Sequence, residues 1–247
     1  MAEKLTKDER KALRQHEWKE EAKKAQQNTT FKKYSLWIGG LIIIAIAIIG
    51  MFWLVTGTST TTSPNQPLKV ASVASRDLAF GDKNSKAVLI EYADFECPAC
   101  AEYHTVVDQI VQYYGNKILY VYRMFPLTQI HPNADISAQA AYAAYKQGKF
   151  LQYSNLLFNN QSQWAGLTNP TSNFLNYAKS MNLNLDKFKA DMTSSDTINY
   201  VNASEQEALN EGLDHTPTFI LNGNEITNPP TNFNDFKKLI DAKLAQK

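Results

Sequence analysis

The sequence predicts an α/β protein with a parallel β-α-β unit and an inserted α-helical region, preceded by one transmembrane helix. Three observations support this prediction: a 20-residue run without a charge, two apolar strand patterns on either side of a helical pattern, and a long stretch with helical patterns only. The 247 residues suffice for one large domain or two small ones. The 25 basic and 24 acidic residues nearly cancel, which argues against nucleic acid as a partner.

The N-terminal segment, residues 1–35, is rich in Lys, Glu, Gln and Ala and has no apolar stripe long enough to bury a helix face. It is interpreted as a solvated, partly helical tail on the cytoplasmic side. A role in binding a partner stays open as an alternative.

Residues 36–55 are predicted to form a transmembrane helix. They carry no charge, and a helix of that length spans about 30 Å, the thickness of the hydrocarbon layer. Lys32 and Lys33 precede the run, and the next basic residue is Lys69, so the amino end is expected in the cytoplasm. A cleaved signal peptide is the alternative, but this apolar run is longer than the usual core of such peptides.

A tether, residues 56–68, follows the predicted helix. It is rich in Thr, Ser and Pro, and it lacks a large apolar side chain until Leu68, so it cannot pack a core. The remaining domain, residues 69–247, is therefore expected outside the cytoplasm, close to the cell membrane that a single helix crosses.

The outer domain begins with a strand, helix and strand pattern. Apolar runs occupy 88–90 and 118–122, and apolar residues recur at helical spacing between them. Because the runs are continuous rather than alternating, both faces of these strands are expected to be buried, as in a parallel unit with a right-handed crossover.

A helical insertion is predicted over about 133–212, where strand patterns disappear. A strand returns at 218–221, and Asn222 and Gly223 form a predicted hairpin turn into a strand over 225–227. Phe233 to Leu244 has the spacing of a closing helix.

Cys97 and Cys100 are the two cysteines of the chain, and they lie where the first strand passes into the helix. Pro98 suits the first helical turn, which places Cys97 near free backbone amides and the positive end of the helix dipole; both favour a thiolate. Cys100, one turn later, lies within reach of a disulfide with Cys97. Half of a zinc site and two incidental core thiols are the alternatives, and no bound metal or cofactor is expected.

Thr216 and Pro217 directly precede the returning strand. A proline at a strand start is compatible with an ordinary structural role, because its missing N–H leaves no ladder bond unmade there. A cis peptide before Pro217 is the functional alternative, since it brings backbone beside the thiols and offers an extended substrate an edge for pairing.

These segments together resemble the DsbA-like thiol:disulfide oxidoreductases, and most closely the membrane-anchored or lipid-anchored bacterial types. The resemblance covers about 75–245 and rests on several ordered motifs, which lie at 80–100, 123–127, 131–134, 147–150 and 216–223. It implies a thioredoxin fold with an inserted helical domain.

The resemblance also implies roles for individual residues. Cys97 is the attacking thiol, Cys100 the resolving thiol, and Pro217 is in cis. Glu91, on the central strand, matches a buried acidic residue that assists proton transfer, although an edge-facing solvated Glu91 is the alternative. The expected substrate contacts are Pro98, Ala99, Thr216 and His215.

Two features depart from the strongest oxidants of this group. Ala99 stands where the best-known member has a histidine that stabilises the thiolate, and Glu96 places a negative charge beside Cys97; both are expected to weaken the oxidising power. His104 is expected on the helix as a partly exposed residue, with a position facing the thiols as the alternative. His131 is expected to have a structural role.

The expected activity is donation of the Cys97–Cys100 disulfide to reduced cysteine-containing proteins that are secreted or displayed at the surface. A quinone-linked membrane partner is the reoxidant that the resemblance suggests. Two alternatives stay open: a reductase or isomerase, because the same motif serves both directions of electron flow, and a membrane-tethered chaperone-like binding module with a vestigial redox pair.

Overall fold

The computed structural model describes Lys19, Val70 and residues 72–246. The predicted transmembrane helix at 36–55, the tether at 56–68 and all of the tail except Lys19 lie outside these residues and stay predictions. In the described part of the chain, no helix is long and apolar enough to cross a bilayer.

A five-stranded sheet forms the centre of the described domain. The strands are β1 (Leu78–Gly81), β2 (Val88–Ala93), β3 (Leu119–Met124), β4 (Thr218–Leu221) and β5 (Asn224–Glu225). Their order in the sheet is β1-β3-β2-β4-β5. The central strand β2 is parallel to β3, which confirms the predicted β-α-β unit, and the other neighbours are antiparallel.

The helices confirm the predicted insertion. Helix α1 (Pro98–Tyr114) connects β2 to β3 through a 3₁₀ turn, Gly115–Lys117, and α8 (Phe233–Leu244) ends the domain. Six helices occupy the chain between β3 and β4, where every residue is described. They are α2 (Ala134–Tyr145), α3 (Phe150–Asn159), α4 (Gln161–Trp164), α5 (Thr171–Ser180), α6 (Leu185–Met192) and α7 (Ser195–Asn210).

The final hairpin corrects one predicted strand. Asn222 and Gly223 both have positive φ, 52° and 78°, as the tight hairpin turn requires. The strand after the turn is Asn224–Glu225 rather than 225–227, although the Ile226 amide still donates to the Phe219 carbonyl at 2.8 Å. Pro229 and Pro230 follow shortly, and since proline has no N–H, they cannot extend the ladder.

Strand β1 was not predicted from the sequence. It has four residues and lies at the edge of the sheet, where it pairs with β3 alone: Leu78 lies opposite Tyr122 and Gly81 opposite Leu119. Strand β4 is equally short, but its sequence ends in a run of large side chains, whereas β1 alternates them with alanine and ends in glycine and so lacks a strand pattern. Its pairing with β3 therefore defines it.

Both faces of the sheet are covered, as the continuous apolar strands predict. On one face, α1 and the insertion contribute Val107, Ile110 and Phe150 to a large cluster with Leu89 and Tyr120. On the other face a smaller cluster contains Ile90, Val121 and Ile220 together with Ala208 and Leu213 from the end of the insertion. This packing holds the start of α1 at the end of the central strand.

Candidate active site

The turn after β2 places the two thiols at the start of α1. Cys97 is the N-cap residue, with extended φ and ψ of −69° and 121°, and Pro98 occupies the first helical turn. The Cys97 amide donates to the Asp94 carbonyl at 3.2 Å, which closes the turn. Cys97 is 7% exposed, whereas Cys100 is fully buried. Both are free thiols, so this is the reduced form.

The surroundings of Cys97 favour its thiolate. Its pKa is lowered to about 6, chiefly by a hydrogen bond from the Cys100 thiol. Burial opposes this shift, while the Thr216 hydroxyl and the backbone amides of Cys100 and Ala99 act in the same direction as the Cys100 thiol. The Cys97 sulfur is therefore largely ionised at neutral pH.

Cys100 has the opposite environment. Burial raises its pKa well above the ordinary value, and the neighbouring Cys97 and Glu91 raise it further by hydrogen bonding or charge. Cys100 therefore stays protonated while Cys97 ionises. This asymmetry divides the pair into a Cys97 thiolate and a fully buried Cys100 thiol that keeps its proton until a base takes it.

The loop before β4 approaches the sulfur of Cys97. The Thr216–Pro217 peptide is cis, and the Cys97 Sγ atom lies 3.4 Å from the Thr216 carbonyl oxygen. The Thr216 hydroxyl is buried and has no hydrogen-bond partner among the described residues in this thiol form. A hydroxyl in that position can donate to Cys97 once the thiolate forms, which agrees with the lowered pKa of Cys97.

Glu91 lies on the face of β2 that points toward α1. It is 2% exposed, so the alternative of a solvated, edge-facing carboxylate is wrong. Burial raises its pKa to about 7, and the hydrogen bond from the Tyr120 hydroxyl, at 2.5 Å, partly opposes the rise. The charge of Glu91 is also among the causes that raise the pKa of Cys100, so the protonation states of the two groups are linked.

The Glu96 carboxylate forms a hydrogen bond with the insertion. It accepts a hydrogen bond from the Asn133 backbone amide at 2.5 Å, at the start of α2. Burial raises its pKa, which favours the neutral acid over the charged form. Glu96 therefore acts as a local contact to the insertion, and the expected repulsion of the Cys97 thiolate by its charge is weakened.

Two histidines, His131 and His104, contact other side chains of the domain. The His131 Nδ1 atom lies 2.7 Å from the Asp94 carboxylate, which agrees with a structural role. His104 is buried, with its ring centroid 4.6 Å from that of Phe158, so the expectation of a partly exposed residue is wrong. Phe158 comes from the insertion, which could not be placed from the α1 sequence alone.

The expected substrate contacts differ in exposure, and Thr216 is the buried one among them. Pro98 is exposed and Ala99 half-buried beside Cys97. His215 has 61% of its side chain exposed, and its Nδ1 atom lies 2.8 Å from the Asp214 carboxylate. Their roles in binding stay predictions.

Gln161 is a residue at this site that sequence reasoning missed. Its side-chain amide, on α4, donates to the Phe95 carbonyl at 2.8 Å and to the Cys97 carbonyl at 2.9 Å. It lies 64 residues after Cys97 in the chain. A polar residue in a helical pattern gives no signal of such a contact.

The family model described as thioredoxin matches residues 74–242. Among curated proteins, the chain is 30% identical over 198 residues to the Na(+)/H(+) antiporter NhaA 1 of Mycobacterium sp. (strain KMS), covering 77% of this chain and 31% of that protein. It is 34% identical over 148 residues to the Na(+)/H(+) antiporter NhaA 1 of Salinispora arenicola, and this match covers 60% of this chain and 22% of that protein. The chain thus spans about a third or less of the relatives' length.

Solved structures match about three quarters of the chain. Wolbachia pipientis alpha-DsbA1 aligns with a TM-score of 0.63 and 22% identity, covering 72% of this chain and 96% of that one. Oxidised BdbD from Bacillus subtilis also aligns with a TM-score of 0.63, at 16% identity, and the alignment covers 74% of this chain and 100% of BdbD. The predicted thioredoxin fold with an inserted helical region, and the resemblance to DsbA-like proteins, are therefore confirmed.

Proposed function

The chain belongs to the thioredoxin family, whose model spans residues 74–242, and from that membership we propose that it is a thiol:disulfide oxidoreductase that donates a disulfide. The donated bond joins Cys97 to Cys100, and the recipients are reduced cysteine pairs in secreted or surface proteins. The antiporter name of the curated relatives describes much longer proteins, so ion transport is not part of this proposal.

The contrast between the two thiols carries the proposal. The lowered pKa of Cys97, about 6, makes its sulfur a good leaving group and stabilises the reduced enzyme relative to the disulfide. A stabilised reduced form makes the disulfide more oxidising. This favours donation over reduction, despite the Ala99 that replaces a histidine in the strongest oxidants.

The reaction proceeds by two exchanges. A client thiolate attacks the Cys97 sulfur, the Cys97–Cys100 bond breaks, and Cys100 leaves with the bonding electron pair and takes a proton. The second client thiolate then attacks the client sulfur of the mixed disulfide, and Cys97 leaves as a thiolate. The client gains one disulfide, and the enzyme gains two electrons.

Glu91 is proposed to supply and accept the proton of Cys100. Its pKa of about 7 lies near neutral pH, where a carboxyl group exchanges protons most effectively. The Tyr120 hydroxyl holds one of its oxygens through a hydrogen bond, which orients the carboxyl group inside the core.

Client binding is proposed at the rim around Cys97. The loop of Thr216 and Pro217 offers backbone to an extended client segment, while Pro98, Ala99 and His215 contact its side chains. Cys97 keeps 7% of its surface exposed, and the client is proposed to approach its sulfur there.

Location and recycling form the remaining part of the proposal. The apolar run at 36–55 anchors the chain in the cell membrane, with the amino end in the cytoplasm and the thiols outside. A quinone-linked membrane partner takes the two electrons from reduced Cys97 and Cys100 and restores the disulfide.

A redox titration of the purified full-length chain against glutathione tests the direction of transfer. Reference potentials are about −120 mV for DsbA and about −270 mV for thioredoxin. We expect a midpoint nearer the DsbA value, together with oxidation of a reduced, unfolded client. A midpoint at the thioredoxin value would show a reductase, and client binding that persists in Cys97→Ala without turnover in the wild type would show a binding module.

Labelling of intact cells with a membrane-impermeant maleimide tests the location. Because Cys97 and Cys100 are the two cysteines of the chain, any label reports on this site, and Cys97→Ser is the control. After reduction, we expect Cys97 to react without permeabilisation. Reaction that requires permeabilised cells would place the thiols in the cytoplasm and contradict this part of the proposal.

A further inference from the structure

We infer that Gln161 is a positioning residue for the Cys97 thiolate. Gln161 lies in the helical insertion, at the start of α4, and its side-chain amide binds the turn that carries Cys97. Neither the sequence patterns nor the proposed function assigns it a role. The inference rests on Cys97 as the attacking thiol.

The geometry uses both donors of one amide group. A glutamine side-chain nitrogen carries two hydrogens, and in this structure it lies 2.8 Å from the Phe95 carbonyl oxygen and 2.9 Å from the Cys97 carbonyl oxygen. The two carbonyls come from alternate residues of the turn. A single side chain therefore holds both ends of the segment that leads into the redox helix.

The bound carbonyl of Cys97 belongs to the N-cap of α1. It also accepts from the Ala101 amide at 3.2 Å, the first hydrogen bond of the helix. The direction of this carbonyl is linked to the ψ angle of Cys97, and hence to the orientation of the peptide groups that follow. The amides of Ala99 and Cys100, which lower the pKa of Cys97, are the next groups along the chain.

Helix α4 is itself firmly held. Trp164, at its end, is fully buried, and the indole nitrogen donates to the Leu157 carbonyl at 2.9 Å. Asn133 forms a second link, because its side-chain amide donates to the Ala165 and Leu167 carbonyls and its backbone amide donates to Glu96. Gln161 thus connects the insertion to the turn before Cys97, and its loss leaves the Cys97 carbonyl with the Ala101 amide but without the second donor, which widens the range of directions that the carbonyl can adopt.

The test compares two glutamines of the same helix. Gln161→Met keeps the length of the side chain and removes both donors. Gln163→Met is the matched control, because Gln163 is exposed and its amide bonds within the helix region, to Asn160 at 3.1 Å. The pKa of Cys97 is measured on each full-length, reduced chain from the ultraviolet absorbance of the thiolate as a function of pH. The redox midpoint of each chain is measured by titration against glutathione.

We expect Gln161→Met to raise the pKa of Cys97 by about one, a tenfold loss of thiolate at a pH well below the pKa. The equilibrium constant against glutathione is expected to change about tenfold toward a less oxidising disulfide, which is about 30 mV. Gln163→Met is expected to leave both values unchanged. A lower melting temperature in Gln161→Met with an unchanged pKa would show a structural contact only and overturn the inference.

A second variant keeps the test decisive if Gln161→Met does not fold. Gln161→Leu also lacks a donor and is expected to raise the pKa in the same way; an unchanged value there overturns the inference. The wild-type pKa of Cys97 distinguishes failure of the proposed function from failure of the role of Gln161. A wild-type pKa near that of a free thiol contradicts the proposed function and the attacking role of Cys97. A low wild-type pKa that neither variant changes contradicts the role of Gln161 alone.

Discussion

The Cys97 sulfur and the Thr216 carbonyl oxygen lie 3.4 Å apart, although 119 residues separate them along the chain. The contact joins the start of α1 to the loop before β4. It also places the buried Thr216 hydroxyl beside the same sulfur, where it lowers the pKa of Cys97. The thiolate therefore depends on two separate parts of the chain.

The two cysteines are expected to differ in their variants. Cys97→Ala removes the sulfur that clients attack, so disulfide transfer to a reduced client is expected to stop. Cys100→Ala cannot form the enzyme disulfide, but with a client that already contains a disulfide its Cys97 thiolate displaces one client sulfur as a thiolate; without the Cys100 thiol to resolve it, the mixed disulfide is expected to persist as a higher-mass species on non-reducing gels. Equal activity in Cys97→Ala and wild type would contradict the assignment of the attacking thiol.

Thr216→Val is expected to raise the pKa of Cys97. Valine has a similar shape but no hydroxyl, so the thiolate loses one donor; a hydrogen bond to a charged group contributes about 1.5 kcal/mol or more, roughly one pKa unit. Thiol alkylation rates against pH measure the change. Thr227→Val, at an exposed position of the final hairpin, is the control and is expected to match the wild type.

Glu91→Gln is expected to change how stability depends on pH. The folded pKa of Glu91, about 7, lies above the model-peptide value of 4.5, so the folded state holds its proton more tightly. The associated stability is complete below the unfolded pKa and is lost as pH rises through the folded pKa. The difference amounts to about 3 kcal/mol.

Urea unfolding of the reduced protein at about pH 4 and about pH 8 measures this effect. From about pH 4 to about pH 8, the free energy of unfolding of the wild type is expected to fall by about 3 kcal/mol more than that of Glu91→Gln, because the glutamine does not ionise. Glu102→Gln changes an exposed residue of α1 and is expected to follow the wild type. Equal pH dependence in Glu91→Gln and wild type would contradict the buried, raised carboxyl group.

A buried ion pair stabilises the opposite face of the sheet. Arg123, on β3, is 2% exposed; it contacts the Asp77 carboxylate at 2.9 Å and the Glu211 carboxylate at 3.4 Å. It also donates to the Tyr92 hydroxyl at 2.5 Å. Glu211 lies shortly before the loop of Thr216, so this cluster fixes the base of the loop that approaches Cys97.

Arg123→Met is expected to lower the free energy of unfolding by about 3 to 5 kcal/mol, because it leaves two carboxylates buried without their cation. Denaturant unfolding near neutral pH measures the loss. Arg76→Met is the control: Arg76 contacts Glu207 with 51% of its side chain exposed, and such a surface pair contributes less than about 1 kcal/mol. Similar losses in both variants would contradict the difference in burial.

Local patterns were sufficient to predict most of the fold. Strand β2, helix α1 and strand β3 carry continuous or helical apolar periodicity, and so do the helices of the insertion. Strands β1 and β5 were missed or misplaced because they are short and lie at the edges, where pairing with β3 or β4 decides their extent. A pairing partner cannot be identified from four residues.

The available chemistry could be identified from the amino-acid sequence. Cys97, Pro98 and Cys100 are close in the chain, so a helix start beside two thiols follows from local geometry, and Thr216 with Pro217 marks a possible cis peptide. The surroundings of the thiols follow from the packing of distant segments, which places the Thr216 hydroxyl beside the Cys97 sulfur, buries Glu91 near the pair, and brings the Gln161 amide to the turn before Cys97. The reason is physical, because burial and hydrogen bonding set these pKa values, and both depend on segments brought together by packing across the sheet.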